Sequence, residues 1–411
     1  MTGPTDRSGG CLAPVGAGSP LPRRLRIFQS ILNRIERGTI EVVLPDGRRF
    51  RAVGGAPGPH GELVVRNPKF LRRLLAEGDL GFGEMFVEGW WATPDLQALL
   101  DVIMLNNENM ARRFPGAGLV RLRERLRHCL NINSRKGSRR NIAHHYDLGN
   151  AFYNLWLDET MTYSSALFRN GQESLGEAQR NKFAAICDRL TLAPGDRILE
   201  IGCGWGSFAE YAARERGVRV TGLTISREQQ DYARRRLFEA GLAERTEILL
   251  RDYRDERGAY DGIASIEMIE AVGEKYWPAY FSALRDRLRP GGVAALQAIT
   301  IADRLFPQYR SRSDFIQKHI FPGGMLPCLA ALRRQADAAG LEAVGQEAFA
   351  DSYSRTLREW YRRFNVSWTR IATLGFDDRF HRMWNFYLAA SAAGFAAGTT
   401  DVVQIAFRRP L

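Results

Sequence analysis

The chain has 411 residues, of which 45% are hydrophobic and 25% are charged, and its formal net charge at pH 7 is +12. These values exclude a disordered or fibrous protein and, at this length, favour two globular domains. Five scattered cysteines without a CxxC pair argue against a zinc site and predict reduced thiols in a cytoplasmic protein. No signal peptide is expected, and the most apolar tract, Tyr387 to Gly398, is too short for a membrane span of about twenty residues.

The positive charge is concentrated in the first third of the chain. Residues 1–140 carry 23 basic and 13 acidic side chains, whereas the other 271 residues carry 35 and 33. Such a surplus favours a nucleic acid or an anionic membrane as a partner. For the basic clusters at 112–113 and 135–140, a solvated linker is an equally good interpretation.

The front of the chain predicts a tail followed by a small domain. Residues 1–22 are rich in Gly, Pro and Ser and are predicted to be disordered. Residues 23–130 predict a compact α+β domain, in which 40–53 form a hairpin that turns at the Asp-Gly pair 46–47. Residues 67–91 then predict a helix, a turn and a second amphipathic segment.

A basic amphipathic helix over 118–130 leads into a polar, basic linker, 131–141, which marks the predicted domain boundary. From there, residues 142–411 alternate short apolar strands with amphipathic helices. This alternation predicts a doubly wound, mostly parallel sheet that binds its ligand beyond the carboxyl ends of the strands. The closing segment, 400–410, is predicted to be an edge strand. The five preceding strands are predicted within 197–206, 218–225, 246–250, 261–266 and 291–300.

A glycine-rich loop follows the first of these strands. Glu200, Gly202, Gly204 and Gly206 form the pattern E-x-G-x-G-x-G, in which the glycines permit a tight turn and a close approach of a ligand to the backbone. A dinucleotide fingerprint would also place an acidic residue at the end of the second strand, where this chain has Thr224. NAD is therefore disfavoured, and the loop resembles motif I of the class I S-adenosylmethionine-dependent methyltransferases.

Three further residues are candidates for contacts with the cofactor. Gln229 follows Ser226 at the spacing of a helix capping box, so a capping role and a contact with the ribose are equally good interpretations. Asp252 and Tyr253 follow the third strand, where such folds hold the adenine. Tyr253 can stack on the base, although a surface aromatic residue would give the same pattern.

Seven segments of the chain together form a recognisable set of motifs. They are LGFGEMFVEGWW in the front domain and, after it, HYDLGNAFYNLWLDETMTYSSALF, LEIGCGWG, GLTISREQ, SIEMIEAVG, IFPGGMLP and YSRTLREWYRRF. In this order they resemble the cyclopropane-fatty-acyl-phospholipid synthase family, whose motif set the mycolic acid cyclopropane synthases share. The resemblance extends from about residue 25 to the C-terminus and implies a class I methyltransferase fold with a seven-stranded sheet, preceded by the smaller α+β domain.

The resemblance implies a reaction and a cofactor site. Members transfer a methyl group from S-adenosylmethionine to a cis double bond in an unsaturated phospholipid acyl chain, and loss of a proton then closes a cyclopropane ring. An uncharged pocket with aromatic faces suits an apolar chain and a carbocation intermediate. By motif, Tyr163, Ser164, Thr224 and Gln229 contact the cofactor together with the glycine loop.

The base in this family is understood to be a bound bicarbonate. Its holding groups are a cysteine, a glutamate, a histidine, an isoleucine backbone amide and a tyrosine, and a further cysteine lies near the C-terminus. The matching residues here, in that order, are Ser165, Glu270, Gln297, Ile299, Tyr353 and Ser391.

Two of these substitutions bear on the chemistry. Ser165 and Gln297 can still hydrogen-bond an anion, so bicarbonate binding remains possible, but the imidazole that titrates near neutral pH is lost. Glu270 would then orient bicarbonate or act as the base itself. A weaker base prolongs the life of the cation, so a methyl-branched or methylene product is the alternative to the favoured ring.

Other classes of function remain as alternatives. A methyltransferase acting on a small molecule or RNA would need a polar acceptor and a base, for which His144 and His145 are the best candidates. A non-catalytic lipid- or nucleic-acid-binding protein is disfavoured by the intact glycine loop and Glu270. The expected partners are an unsaturated phospholipid and the anionic inner face of the cytoplasmic membrane, bound peripherally, with no nucleic acid and no metal. The resemblance also suggests a homodimer formed through the front domain.

Overall fold

A computed structural model describes residues 23–111 and 148–411. The predicted tail, the 118–130 helix, the linker 131–141, both basic clusters and the two histidine candidates lie outside the described residues. Contacts divide the chain into two compact units. The first comprises Met1–Glu124 and Phe376–Ala397, and the second comprises Arg125–Gly375 and Gly398–Leu411.

The first unit contains a four-stranded sheet of order β2-β1-β3-β4. Its strands are β1 (Arg37–Val43), β2 (Arg49–Val53), β3 (Ala56–Val65) and β4 (Trp91–Ala92). Its N-terminal helices are α1 (Arg23–Leu32), α2 (Phe70–Val87), α3 (Leu96–Leu105) and α4 (Asn107–Ala111).

Two predictions for this unit are confirmed. Strands β1 and β2 pair antiparallel, and Gly47 takes a φ of 81° in the turn between them, which a residue with a side chain rarely adopts. Helix α2 is interrupted at Gly78, whose φ of 64° gives the predicted turn between two helical segments.

The remaining elements follow in the second part of the chain. The helices are α5 (Asn150–Tyr153), α6 (Leu175–Leu190), α7 (Ser207–Glu215), α8 (Arg227–Glu239), α9 (Trp277–Arg287), α10 (Phe306–Tyr309), α11 (Phe315–His319), α12 (Leu329–Ala338), α13 (Ala350–Val366), α14 (Trp368–Ala372) and α15 (Asp378–Ala396). The strands are β5 (Arg197–Ile201), β6 (Arg219–Thr224), β7 (Thr246–Leu250), β8 (Tyr260–Ile266), β9 (Leu288–Ile301), β10 (Glu342–Ala348) and β11 (Thr400–Arg408).

Helix α15 packs with the first unit. Gln97 of α3 donates to the backbone oxygen of Ala389, and the guanidinium of Arg382 donates to the backbone oxygen of Val87. The ring of Phe386 lies 6.3 Å from that of Phe82. The domain boundaries drawn from the sequence, 23–130 and 142–411, do not anticipate this grouping. Within the described ranges no helix is both long and apolar enough to span a membrane.

The second unit is built on a seven-stranded sheet of order β10-β11-β9-β8-β5-β6-β7. Strands β5 to β9 are parallel, while β11 pairs antiparallel with both β9 and β10. Buried residues of α6, α7 and α8 belong to one hydrophobic cluster and those of α9 and α12 to another. The predicted doubly wound, mostly parallel sheet is confirmed.

The prediction of an edge position for β11 is wrong. This strand lies between β10 and β9, and six consecutive residues, Val402 to Phe407, are buried. A continuous run of buried residues is typical of a strand covered on both faces, whereas an edge strand exposes more of its surface. The edge strand on this side of the sheet is β10, which the sequence analysis did not identify and whose residues are almost all exposed.

Candidate active site

The glycine loop, residues 202–206, connects β5 to α7 at the carboxyl edge of the parallel strands. Gly202, Gly204 and Gly206 have φ values of 83°, 51° and 83°, a region that strains residues with a side chain. A Cβ added at Gly202 would lie 2.9 Å from Cγ of Met268. The loop therefore needs glycine both for its turn and for its close packing.

Glu200 lies on β5 immediately before this loop. Its side chain is buried, and burial raises the pKa of its carboxyl to about 8, partly opposed by the positive charge of Lys182. Oε2 of Glu200 has no hydrogen-bond partner within the described part of the chain. This oxygen is available to accept a hydrogen bond from a ligand.

The end of β6 and the start of α8 bring two further candidates together. The Thr224 hydroxyl donates to Oε1 of Gln229 across 2.9 Å. Ser226 caps α8 by accepting from the Gln229 backbone N–H, but the Gln229 side chain bonds Thr224 instead of completing a capping box. Both Thr224 and Gln229 are buried beside the carboxyl edge of the sheet.

Asp252 and Tyr253 follow β7. The Asp252 carboxylate accepts from Nε and Nη2 of Arg254 at 2.8 and 2.6 Å, so it is already held by an ion pair. Tyr253 packs edge-on against Tyr280 at 5.5 Å, and burial raises the pKa of its hydroxyl to about 12. Tyr253 is thus a packed residue at the rim of the core and not a free surface aromatic.

The neutral segment 161–168 forms part of an aromatic cluster. The ring of Tyr163 lies 5.4, 5.6 and 5.2 Å from the rings of Tyr153, Trp156 and Trp360. Trp360 in turn lies 6.2 Å from Tyr353. We call these five residues the aromatic wall; four are buried, and Tyr163 is partly exposed.

Lys182 is a buried residue that the sequence analysis missed. Its Nζ donates to the Ser164 hydroxyl across 2.7 Å, and burial lowers the pKa of its ammonium to about 7, while the charges of Glu267, Asp158 and Glu200 act in the opposite direction. Nothing in the polar stretch EAQRNK distinguishes Lys182 from a solvated lysine, so no sequence signal was available.

Glu267 is the second missed residue, and three donors converge on its carboxylate. Oε1 accepts from the backbone N–H of Ser165 and from Nε2 of Gln297, both at 2.8 Å. Oε2 accepts from the Tyr353 hydroxyl at 2.6 Å. Burial raises the pKa of Glu267, and these donors and Lys182 oppose that shift. The only sequence signal was that SIEMIEAVG contains two acids, of which Glu267 is the first.

Glu270 lies next to Glu267. Its Oε1 accepts from the backbone N–H of Ile299 on β9, and its Oε2 is buried without a hydrogen-bond partner among the described residues. Burial, reinforced by the charge of Glu267, raises the pKa of Glu270 to about 8. We call Glu267, its three donors and Glu270 the carboxylate centre.

The structure brings together five of the six residues predicted to act in catalysis, although in different roles. Ser165 offers its backbone N–H, because its hydroxyl donates to the Ala166 carbonyl oxygen. The Gln297 oxygen accepts from Gln404, so its amino group points to Glu267. Ser391 lies on α15 in the first unit.

The predicted bicarbonate site does not fit a free anion in this arrangement. Three of its donors bond the carboxylate of Glu267, and the fourth, the Ile299 amide, bonds Glu270. No metal-binding group of three or more His, Cys, Asp or Glu side chains is found in residues 23–111 and 148–411.

A doubly wound seven-stranded sheet with a glycine loop after β5 defines a class I methyltransferase. The family model described as mycolic acid cyclopropane synthetase matches residues 133–405. The chain belongs to this family, and it is an S-adenosylmethionine-dependent methyltransferase.

Curated relatives match nearly the whole chain. The tuberculostearic acid methyltransferase of Mycobacterium tuberculosis is 40% identical over 91% of this chain and 90% of its own length. The cyclopropane-fatty-acyl-phospholipid synthase of Escherichia coli is 35% identical over 90% of this chain and 96% of its own.

Solved structures match about two thirds of the chain. A mycolic acid cyclopropane synthase complexed with SAH and CTAB is 29% identical, with a TM-score of 0.63, and covers 66% of this chain and 98% of its own. A cyclopropane synthase from Mycobacterium tuberculosis is 28% identical, with a TM-score of 0.62 and the same coverage.

Proposed function

We propose that this enzyme transfers the methyl group of S-adenosylmethionine to a carbon of a cis double bond in an unsaturated phospholipid acyl chain. The observation that carries the proposal is the junction of the aromatic wall with the carboxylate centre. Tyr353 belongs to both, because its ring packs near Trp360 and its hydroxyl bonds Glu267. A surface that stabilises a cation and a group that accepts a proton therefore share one residue.

The chemistry requires both parts. The π electrons of the alkene form the new C–C bond while the C–S bond breaks and sulfur keeps its electron pair. Because an alkene is a weak nucleophile, the site must exclude water and align the two carbons. The carbocation that results is stabilised by the faces of aromatic rings, and a buried carboxylate with a raised pKa is suited to remove a proton.

The product after methyl transfer divides into two candidates. Ring closure is the outcome favoured by the sequence. The other candidate is an acyclic product, either a methylene chain formed after a hydride shift or a methyl-branched chain that keeps a C=C bond. The three hydrogen bonds to Glu267 favour it, because donors to a carboxylate weaken it as a base and lengthen the life of the cation. The 40% identity to a tuberculostearic acid methyltransferase supports the acyclic candidate.

The test uses methyl-labelled S-adenosylmethionine with vesicles of monounsaturated or fully saturated phospholipid. We expect label in the acyl chains of the unsaturated lipid alone, seen as a mass gain of one CH2. Mild hydrogenation then separates the products, since a methylene group takes up two hydrogens and a ring does not. Label in a head group or in saturated chains would contradict the proposal.

We also propose that the enzyme reaches its lipid by peripheral binding to the anionic inner face of the membrane. The basic surplus of residues 1–140 supports this, since each surface Lys or Arg adds on the order of 1 kcal/mol near an anionic bilayer. Flotation with anionic and neutral vesicles at two salt concentrations tests it. Binding is expected only to anionic vesicles at low salt, and equal binding in all four samples would contradict it.

A further inference from the structure

The carboxylate of Glu267 occupies the centre of the donor set expected to hold bicarbonate. Ser165, Gln297 and Tyr353 all donate to it, at 2.8, 2.8 and 2.6 Å. A carboxylate has the same planar pair of oxygens as bicarbonate and satisfies the same donors. The place of the free anion is therefore filled by a side chain of the protein.

The backbone of Glu267 is shaped for this position. Its φ of 49° lies in the left-handed region, which is rare for a residue with a side chain and is concentrated at functional sites. Its N–H donates to the backbone oxygen of Gln297, the residue whose side chain also binds its carboxylate. These contacts hold a strained residue in one orientation.

The hydrogen bonds of the carboxylate centre favour its negative charge on Glu267. It receives three hydrogen bonds, whereas Glu270 receives one and has a buried oxygen without a partner among the described residues. Two adjacent carboxyls in a buried site do not both ionise readily. The raised pKa of Glu270, about 8, favours its neutral form at pH 7, and the three donors favour the negative charge on Glu267.

We propose that Glu267 itself is the proton acceptor of the reaction, in place of free bicarbonate. This inference deepens the proposed function and rests on it. For the ring, a C–H bond of the transferred methyl group breaks, and its electron pair forms the bond from that carbon to the cationic carbon. For the methylene product, a hydride first shifts from the methyl-bearing carbon to the cationic carbon, and the C–H electron pair of the methyl group then forms the C=C bond. The proton passes to Oε2 of Glu267, which accepts one hydrogen bond in the described structure while Oε1 accepts two. The neutral acid then returns the proton to solvent.

The first experiment compares wild type with Glu267→Gln in buffer freed of carbon dioxide and in buffer with added bicarbonate. Wild-type methylation of unsaturated lipid is expected to be the same in both buffers. Because general-base catalysis contributes about 10²–10⁴-fold, Glu267→Gln is expected to lose at least about 100-fold in rate, with no recovery on adding bicarbonate. Wild-type activity that disappears without bicarbonate, or a fully active Glu267→Gln, would overturn the proposal.

The second experiment restores the anion. Glu267→Gly removes the side chain and suits the left-handed backbone, so the three donors become available. We expect low activity without bicarbonate and a recovery of at least about tenfold when it is added, a change equivalent to about 1.4 kcal/mol. Glu274→Gln, which alters a partly exposed carboxylate paired with Arg310, is the matched control and should keep wild-type activity.

Binding of ¹³C-bicarbonate, followed by NMR line broadening, gives a readout independent of turnover. Broadening is expected with Glu267→Gly and not with wild type. Binding of S-adenosylhomocysteine to each variant checks the fold. If wild type methylates no unsaturated lipid, the proposed function fails. If it methylates and also binds or requires bicarbonate, only this inference fails.

Discussion

The glycine loop and the carboxylate centre lie at the same carboxyl edge of the sheet but are built differently. The loop is a feature of the backbone, contained in five consecutive residues whose glycines have positive φ. The carboxylate centre is assembled from separate segments: Ser165 lies 102 residues before Glu267, and Tyr353 lies 86 residues after it. A site formed by the backbone can be recognised from a short sequence motif, and it does not tolerate side chains in place of its glycines. A site formed by side chains can change residue types, provided that the hydrogen-bond donors still converge on one acceptor.

The largest effect is expected in the glycine loop. Gly202→Ala adds a strained φ and a contact with Met268, beside Glu267, whereas Gly204→Ala adds the strain alone, since nothing lies within 4 Å of its new Cβ. If left-handed strain costs 1–2 kcal/mol, Gly204→Ala should weaken cofactor binding about tenfold and Gly202→Ala about 100-fold. Calorimetric titration with S-adenosylhomocysteine measures both. Equal losses would show that packing on Met268 has no part in the loop.

Changes in the aromatic wall should lower kcat without weakening the binding of the cofactor. Trp360→Leu keeps an apolar side chain but removes the π face, and we expect kcat to fall about tenfold, as a desolvated cation–π contact predicts. Trp277→Leu is the matched control, because Trp277 is equally buried but stacks on Phe306 in the core. It should lose about 3 kcal/mol of stability with kcat nearly unchanged. If kcat falls equally in Trp360→Leu and Trp277→Leu, the aromatic wall has no specific part in catalysis.

Lys182 connects the two regions, because it lies under Ser164 and its charge acts on both Glu200 and Glu267. Lys182→Met removes the charge that opposes protonation of both carboxyls. The acidic limb of the pH–rate profile should therefore move to higher pH, with a loss of severalfold in kcat at pH 7. If kcat falls but the pH–rate profile does not move, Lys182 contributes to packing and not to the charge of the site.

The smallest effect on rate is expected at Glu270, whose neutral form is favoured at pH 7. Glu270→Gln keeps the acceptor for Ile299 and should retain activity within about threefold, in contrast to Glu267→Gln. Because the folded-state pKa of Glu270 is raised to about 8, its contribution to stability is fully present below the unfolded value and is lost as pH rises through 8.

The glutamine variant should therefore become more stable relative to wild type between pH 5 and 8, by at most about 1.4 kcal/mol per pH unit. Urea unfolding at both pH values measures the difference. A constant difference between the two proteins would show that Glu270 ionises normally.

Much of the fold was predictable from local pattern. The strands and helices of the second unit follow the hydrophobic periodicity, and the Asp-Gly turn and the glycine loop depend on conformations that only a few residue types adopt. The errors have physical causes. The order of β10 and β11 is decided by pairing between distant strands, and the grouping of α15 with the first unit by contacts from α2 and α3.

The sequence by itself determined the class of the protein: the alternation of elements, the glycine loop and the order of its motifs identify a methyltransferase of this family. The tertiary structure alone decided which side chains form the site. Burial makes Lys182 and Glu267 functional candidates, and burial is set by packing between segments far apart in the chain. The tertiary structure also shows that the residues expected to bind bicarbonate donate hydrogen bonds to Glu267 instead. This residue follows β8 in a left-handed conformation, which places its carboxylate among them.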